Sequence, residues 1–254
     1  AVRGQLVPQD PTDEPASELL KRIRAEKDRL MAEGKIKRDK PLAPIAEDEQ
    51  PFELPVGWEW VRMGALVNAS EAGWSPTCIG SSRRPGHWGV LKVSAVSWGA
   101  FDGMANKELP PELPPRPEYE VQDGDFLLSR ANTAELVARS VVVGKTEPKL
   151  MLSDKIIRLD VSSRMNRAFL NMCNNADHAR EHYAAQASGT SSSMKNVSRE
   201  VVLATPIPLP PLPEQARIVA RVDELRQLCA DLRQRLAASR TTQGHLAEAL
   251  ASAG

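Results

Sequence analysis

The stretch whose residue types and spacing most directly suggest catalysis is His178-Ala179-Arg180-Glu181-His182. On a helix, residues four apart share a face. Both imidazoles could therefore ligate zinc while Glu181 served as base, the inverted H-x-x-E-H arrangement of some metallopeptidases. A third ligand is then required. The acids downstream, Glu200, Glu214, Glu224 and Glu248, fall on a strand leaving the core and on a heptad helix, poor places to close a buried site. A solvated or partly packed helix gives the same pattern. Glu147-Pro148-Lys149, with Asp123 and Asp125 upstream, imitates the acid-and-lysine cluster of a metal-dependent nuclease, and a hairpin turn explains it better. There is no G-x-S-x-G elbow for a serine nucleophile and no G-x-G-x-x-G or Walker loop. An adenine methyltransferase needs a Gly-rich cofactor loop and an Asp/Asn-Pro-Pro-aromatic turn. The Pro-Pro pairs here, beginning at Pro110, Pro114 and Pro210, each follow Leu instead. A zinc-dependent hydrolase using His178, Glu181 and His182 is one reading of these residues.

The elements that must position any site are dominated by a long helix predicted over about 213–250. Ile218, Val222, Leu225, Cys229, Leu232, Leu236, then Ser239 and Gln243, then Leu246 and Leu250 recur in alternating steps of four and three, a heptad seam with two polar places. At about 1.5 Å per residue the helix is roughly 55 Å long, too long for one ordinary domain to cover. The seam implies a second helix, although an amphipathic helix lying on its own domain would also carry such a stripe. A shorter helix is predicted over 15–33, with Thr12 or Asp13 as cap, Pro15 in its first turn and Gly34 as stop. Lys21, Arg22, Arg24, Lys27 and Arg29, followed by Lys35, Lys37, Arg38 and Lys40, make this the most basic region. It could follow a phosphate backbone, or form a solvated face interleaved with Glu26, Asp28 and Glu33. Residues 41–55 carry four prolines among acids and read as a linker.

From Trp58 to about Asp160 short apolar runs separated by Gly, Pro, Asn and Ser clusters predict strands: 90–96, 125–129, 140–143 and 155–161 among them. The loops over 71–87 and 104–117 exceed ordinary length, which marks functional or disordered segments. A helix is predicted over 166–187, a polar loop over 189–196 and a last strand over 201–207. The expected class is α+β: a mostly β domain with long loops, preceded by a short helical segment and followed by a long coiled-coil helix. Three regions result, at 1–50, 51–212 and 213–254.

The 254 residues are 41% hydrophobic and 26% charged, enough for one sizeable core with appendages. Thirty-three basic residues balance thirty-three acidic ones, which argues against tight non-specific nucleic-acid binding but not against local basic groups. Cys78, Cys173 and Cys229 are odd in number and unpaired in spacing, as in a reducing cytosol. No apolar run approaches a membrane span, so a soluble, cytoplasmic protein is expected. The opening Ala1-Val2-Arg3-Gly4-Gln5-Leu6-Val7 reads as the end of an element begun elsewhere, as in a piece of a longer chain.

The stretch Pro206-Ile207-Pro208-Leu209-Pro210-Pro211-Leu212-Pro213-Glu214-Gln215 resembles the junction between recognition domain and conserved helix in specificity subunits of type I restriction-modification systems. Leu54-Pro55-Val56-Gly57-Trp58-Glu59-Trp60 is similar to that family's domain-opening motif, Gly124-Asp125-Phe126-Leu127-Leu128-Ser129-Arg130 to its mid-domain strand, and Gly189-Thr190-Ser191-Ser192-Ser193-Met194-Lys195-Asn196 to its late polar loop. The segment from Val2 to Pro8, with the helix after it, is similar to the proximal conserved region. The order of the motifs matches across nearly the whole chain. The family's usual subunit carries two recognition domains and this chain has room for one, so it reads as a half, cut from a longer subunit or paired with a second copy.

The resemblance implies a subunit without catalytic activity, whose target recognition domain selects a bipartite site on double-stranded DNA; the zinc-dependent hydrolase and a coiled-coil assembly protein without DNA specificity are the alternatives. Separate modification subunits would methylate adenine with S-adenosylmethionine, and restriction subunits would use ATP and Mg; no cofactor is expected on this chain. Chemistry then ranks the contacts, since base edges ask for Arg, Lys, Asn or Gln, and phosphates for Ser, Thr, Lys and backbone N–H. The candidates are Ser75, Arg83, Arg84 and Lys92; Arg130, Asn132 and Thr133; and Gly189, Thr190, Ser191, Ser192, Ser193, Lys195 and Asn196. Helix pairing is assigned to Ile218, Val222, Leu225, Cys229, Leu232, Leu236, Leu246 and Leu250.

Overall fold

A computed structural model describes residues 1–37, 40–189 and 194–252; within the last helix nothing is said of the side chains at 246, 247, 249 and 250. The chain begins with irregular turns and then forms α1 (Ala16–Ala32). Ala16, Leu19 and Ile23 lie on one face and are buried, while Lys27 reaches over the core to donate to the carbonyls of Gly64 and Val67, both at 2.9 Å. Gly34 ends the helix at φ +70°, a conformation that glycine adopts without a Cβ penalty. The expected cap is absent: Pro15 is the N-cap, and Asp13 instead binds Arg217 at 2.6 Å.

Residues 41–55 do not run free. The Arg62 guanidinium donates to the carbonyls of Ala43 and Pro44 and pairs with Glu49 at 2.7 Å, holding this segment against β1 (Glu59–Arg62). The chain then passes through the short α2 (Met63–Leu66) into β2 (Val67–Ala72), β3 (Gly89–Leu91), β4 (Asn106–Glu108), β5 (Phe126–Ser129), β6 (Ala131–Asn132), β7 (Ser140–Val142), β8 (Leu150–Met151) and β9 (Ile156–Val161). Next come α3 (Arg167–Asn175), α4 (Asp177–Gln186), β10 (Lys195–Asn196), α5 (Arg199–Ala204), β11 (Pro206–Leu209) and α6 (Leu212–Ser252).

Among the described residues there are four small sheets: β2-β9-β5-β7, β4-β3-β8, β1-β11 and β6-β10. Strand β5 lies inside the first, between β9 and β7, and its period of two serves two cores. Phe126 and Leu128 face the larger core with α1, α3, α4, α5 and Ile218. Leu127 faces a second core with Leu91, Val96, Val141, Leu150 and Ile156. The chain is thus a mixed α/β protein with a long C-terminal helix. No helix among the described residues is long and apolar enough to cross a membrane.

Three predicted elements differ. The helix expected over 166–187 is two, because the chain is extended at Ala176 (ψ 160°). Asn174 and Asn175 beside that break hydrogen-bond the Ser140 hydroxyl, while Asn174 also reaches the Ala138 carbonyl and accepts from the Tyr183 hydroxyl at 2.6 Å. The run expected as a last strand is mostly α5, capped by Ser198, whose hydroxyl accepts from the Val201 N–H. The strand is instead the proline run itself, antiparallel to β1 with Ile207 opposite Val61. Pro206 and Pro208 alternate, so their missing N–H groups fall on one edge and the ladder is kept. In the 90–96 run only Leu91 and its predecessors are strand; Val93–Val96 is a 3-10 turn.

Candidate nucleic-acid interface

Several sequence-distant candidates converge where β5 leaves the sheet. The Arg130 N–H donates to the Lys155 carbonyl at 2.7 Å, and the Arg130 carbonyl accepts from Val197 N–H at 3.0 Å, so the residue is fixed between two loops while its side chain stays exposed. Two residues on, Asn132 sits opposite Lys195 in the β6-β10 pair, with Asn196 opposite Ala131. On the other flank Ser75 bonds Asp154 at 2.5 Å, and Lys155 lies 3.9 Å from the same carboxylate. These links bring Ser75, Lys155, Arg130, Asn132, Thr133, Lys195 and Asn196 together in one connected ridge, of which Ser75, Lys155 and Arg130 are exposed and the other four half-buried. Gly189 closes its end: it has φ +115°, its carbonyl accepts from Lys195 Nζ at 2.6 Å, and a Cβ there would lie 2.4 Å from the Met194 carbonyl oxygen. Thr190, Ser191, Ser192 and Ser193 lie outside the described residues.

Not every candidate is available for a ligand. Asn132 donates through Nδ2 to the Ser97 hydroxyl and accepts at Oδ1 from the Thr133 N–H, each at 2.9 Å, so its amide braces neighbouring turns. Arg83 donates to the carbonyls of His87 and Pro148. Arg84 pairs with Glu108 at 2.7 Å beside β3 and β4; the Arg84 guanidinium and N–H hold that carboxyl down at about 2. These two arginines fasten the 75–88 loop to the second sheet and are separate from the ridge. Lys92 follows β3, its N–H bonded to the Ala105 carbonyl. Among the described residues, Arg130 has no side-chain hydrogen-bond or ion-pair partner.

Two groups near these candidates were not among the predicted contacts. The Lys155 carbonyl holds the Arg130 N–H, so the lysine side chain extends the ridge, and Trp98, 72% exposed on the turn that Asn132 braces, lines a cavity with Leu136, Met172 and Arg226. The sequence signal for Trp98 was an aromatic residue set directly before Gly99 in a polar turn.

The HxxEH pattern is engaged elsewhere. His178 is buried edge-on against Phe52 and Trp60, with ring centroids at 5.7 and 5.8 Å, and burial lowers its imidazole to about 4. His182 Nε2 lies 3.1 Å from the Val201 carbonyl oxygen, and Glu181 is exposed. Among the described residues no group of three or more His, Cys, Asp and Glu is placed to hold a metal ion.

The root of α6 is built into the protein and its remainder is not. Trp58 Nε1 donates to Glu214 Oε2 at 2.9 Å inside the core; Glu214 Oε1 has no partner, and burial raises that carboxyl. Gln215 accepts from the Asn166 N–H at 3.1 Å and donates to the Pro210 carbonyl at 3.0 Å. Ile218 is buried, and Val222 and Leu225 are half-buried. From Cys229 the seam is exposed, with 54% of Leu232 and 55% of Leu236 open to solvent. Leu246 and Leu250 lie outside the described side chains.

No family model matches the chain. It is 45% identical over 255 residues to the specificity subunit of type I restriction enzyme EcoEI from Escherichia coli, covering 100% of this chain and 43% of that one. To the EcoAI specificity subunit, also from Escherichia coli, it is 33% identical over 266 residues, covering 100% and 42%. The chain thus spans under half the length of these curated relatives. Among solved structures, a chain of a type I R-M system complex superposes with a TM-score of 0.53 at 19% identity, over 91% of this chain and 51% of that one. The HsdS subunit from Thermoanaerobacter tengcongensis gives 0.50 at 20%, over 86% and 50%, and these two likenesses concern the fold. The buried root of α6, the convergent polar ridge and a relationship running the full length of the chain agree: this chain belongs to the family of type I restriction-enzyme specificity subunits, corresponding to about half of one.

Proposed function

We propose that the chain is a DNA sequence-recognition unit without catalytic activity of its own, which directs adenine-N6 methylation and restriction by partner subunits to a bipartite site. The full-length relationship to specificity subunits carries this reading. The globular part acts as a target recognition domain, reading one half-site through the ridge at Arg130, Lys155 and Lys195. Helix α6 acts as a spacer, its exposed seam pairing with the equivalent helix of a second copy or of a second half-subunit. With two recognition domains held apart, the target is two short sequences separated by unspecified bases, and two identical halves related by a two-fold axis would make that target palindromic. S-adenosylmethionine, ATP and Mg belong to the modification and restriction subunits. Mapping N6-methyladenine in cells with and without the gene tests the proposal. A bipartite motif should vanish on deletion; an unchanged methylation pattern refutes it.

A further inference from the structure

Where α6 leaves the domain, a cavity of about 380 Å³ opens beside α3 and the turn that follows β3, with Trp98, Leu136 and Met172 as its apolar lining and Arg139 and Arg226 as its cations. The turn that presents Trp98 is fixed. Ala95 and Val96 are buried in the second core, and the Ser97 hydroxyl donates to the Val93 carbonyl at 2.7 Å while accepting from Asn132 Nδ2 at 2.9 Å. A rigidly held, exposed indole beside an open cavity has the character of an interface anchor. The cations are under-compensated. Arg139 gives Nε to the Glu135 carbonyl at 3.4 Å, its charge bears on Arg180, and it has no ion-pair partner among the described residues. Arg226 pairs with the exposed Asp223 at 3.4 Å.

The cavity continues the exposed seam of α6. Arg226 stands four residues after Val222 and three before Cys229, so on a helix it shares their face, and Met172 packs on the same core as Val222. A second α6 running antiparallel along the whole seam sets position 225 against 250, 232 against 243 and 236 against 239. Leu232 then meets Gln243 and Leu236 meets Ser239, so the middle of such a pair is apolar on one side only. The exposed halves of Leu228, Leu232 and Leu236 in two copies amount to on the order of 600 Å², about half of the roughly 1,200 Å² at which stable interfaces begin. Two indoles would add on the order of 300 Å². The same register brings Arg226 level with position 249 of the second copy, so the last turns of that helix, with the exposed Glu248, arrive at the cavity.

We infer that this cavity seats the last turns of α6 from a second copy of the chain, with Trp98 as the apolar anchor and Arg139 and Arg226 receiving Glu248 and the carbonyl end of that helix. The inference rests on the proposed pairing of α6 and extends it from the helix to the domain. A helix C-terminus carries unpaired carbonyls and partial negative charge, which two cations complement, and the carboxylate adds to that charge. The two-fold axis makes the contact twice. Each recognition domain is then held to the far end of the other copy's helix, which fixes the angle between the two readers as well as their separation.

Sedimentation of the full chain over a micromolar range gives the dissociation constant of the unaltered chain, Trp98→Ala, Arg226→Glu, Glu248→Arg and the combined charge exchange. All three side chains are exposed, so folding is expected to persist, as checked by circular dichroism. Trp98→Ala should weaken pairing by about thirtyfold or more, because two anchors are lost per dimer. Each charge reversal should weaken it by about three- to tenfold, and Arg226→Glu combined with Glu248→Arg should recover most of that loss. If Trp98→Ala pairs as the unaltered chain does while Leu225→Asp with Leu232→Asp dissociates, pairing is confined to the seam and the inference is overturned. Charge reversals whose losses simply add would overturn the assignment of Glu248 to the cavity. A strictly monomeric unaltered chain would refute the self-pairing itself, and the inference with it.

Discussion

Replacing Trp58 with Phe tests how α6 is rooted in the core. The indole donates its N–H to Glu214 at 2.9 Å, with Trp58 only 6% and Glu214 2% exposed, and no other partner is present on the carboxylate's second oxygen. Phe keeps much of the ring packing against Phe169 but removes the donor, leaving a buried carboxylate with neither oxygen paired. A hydrogen bond to a charged group contributes about 1.5–3 kcal/mol, so a loss of about 2 kcal/mol is expected for Trp58→Phe at neutral pH. Glu214→Gln alone should change stability little, since the amide oxygen still accepts from Trp58 and the buried charge is removed, while the amide NH2 replaces an oxygen that already lacks a partner. In the Glu214→Gln background the same Trp58→Phe change should cost about 1 kcal/mol, the scale of a neutral hydrogen bond. The sign with pH follows from the direction of the shift. Burial raises the Glu214 carboxyl in the folded state, so the folded protein holds its proton to higher pH than the unfolded chain does. The stability this group allows is complete below about 4.5 and declines as pH rises through the folded value. Urea unfolding of the single and double variants at pH 5 and pH 7 measures all of these quantities. Equal losses for Trp58→Phe in the unaltered and Glu214→Gln backgrounds would refute the reasoning, because the two residues would then be uncoupled.

Leu232 and Leu236 should drive association: covering the exposed half of each returns about 1 kcal/mol per side chain, roughly 4 kcal/mol over two copies. Replacing Leu225 and Leu232 with Asp should give a strictly monomeric, folded chain in sedimentation at micromolar concentration, and an unaltered chain that is already monomeric there would refute self-pairing. His178, lowered to about 4 by burial and then by Arg3, stays neutral while an unfolded chain protonates near 6.5; its contribution of about 3 kcal/mol is complete above about 6.5 and is lost as pH falls toward 4. His178→Phe should flatten that acid slope in thermal unfolding, and an unchanged slope would show that other groups control it. Asn174→Ala removes donors to Ala138 and Ser140 and the acceptor for Tyr183 in a fully buried site, and should lower stability by about 3 kcal/mol in urea titration.

Periodic and punctuated elements were legible in the sequence because their signals are local. The heptad spacing located α6 to within two residues, Gly34 marked the end of α1, and the 126–129 and 156–161 runs are strands, since side-chain period and backbone freedom belong to single residues and their near neighbours. What required the tertiary structure is set by partners distant in the chain. The proline run 206–209 is a strand because β1, nearly 150 residues earlier, offers a ladder whose open edge tolerates prolines. Helices α3 and α4 separate where Asn174 and Asn175 turn to Ser140. The same reason divides the predicted contacts: Arg84 has Glu108 as its partner and Asn132 has Ser97, neither visible from spacing, whereas Arg130 is fixed by its backbone with its side chain in solvent. Residue type in the sequence states which groups could meet a base edge. Whether such a group is already hydrogen-bonded depends on what the fold brings within about 3 Å of it.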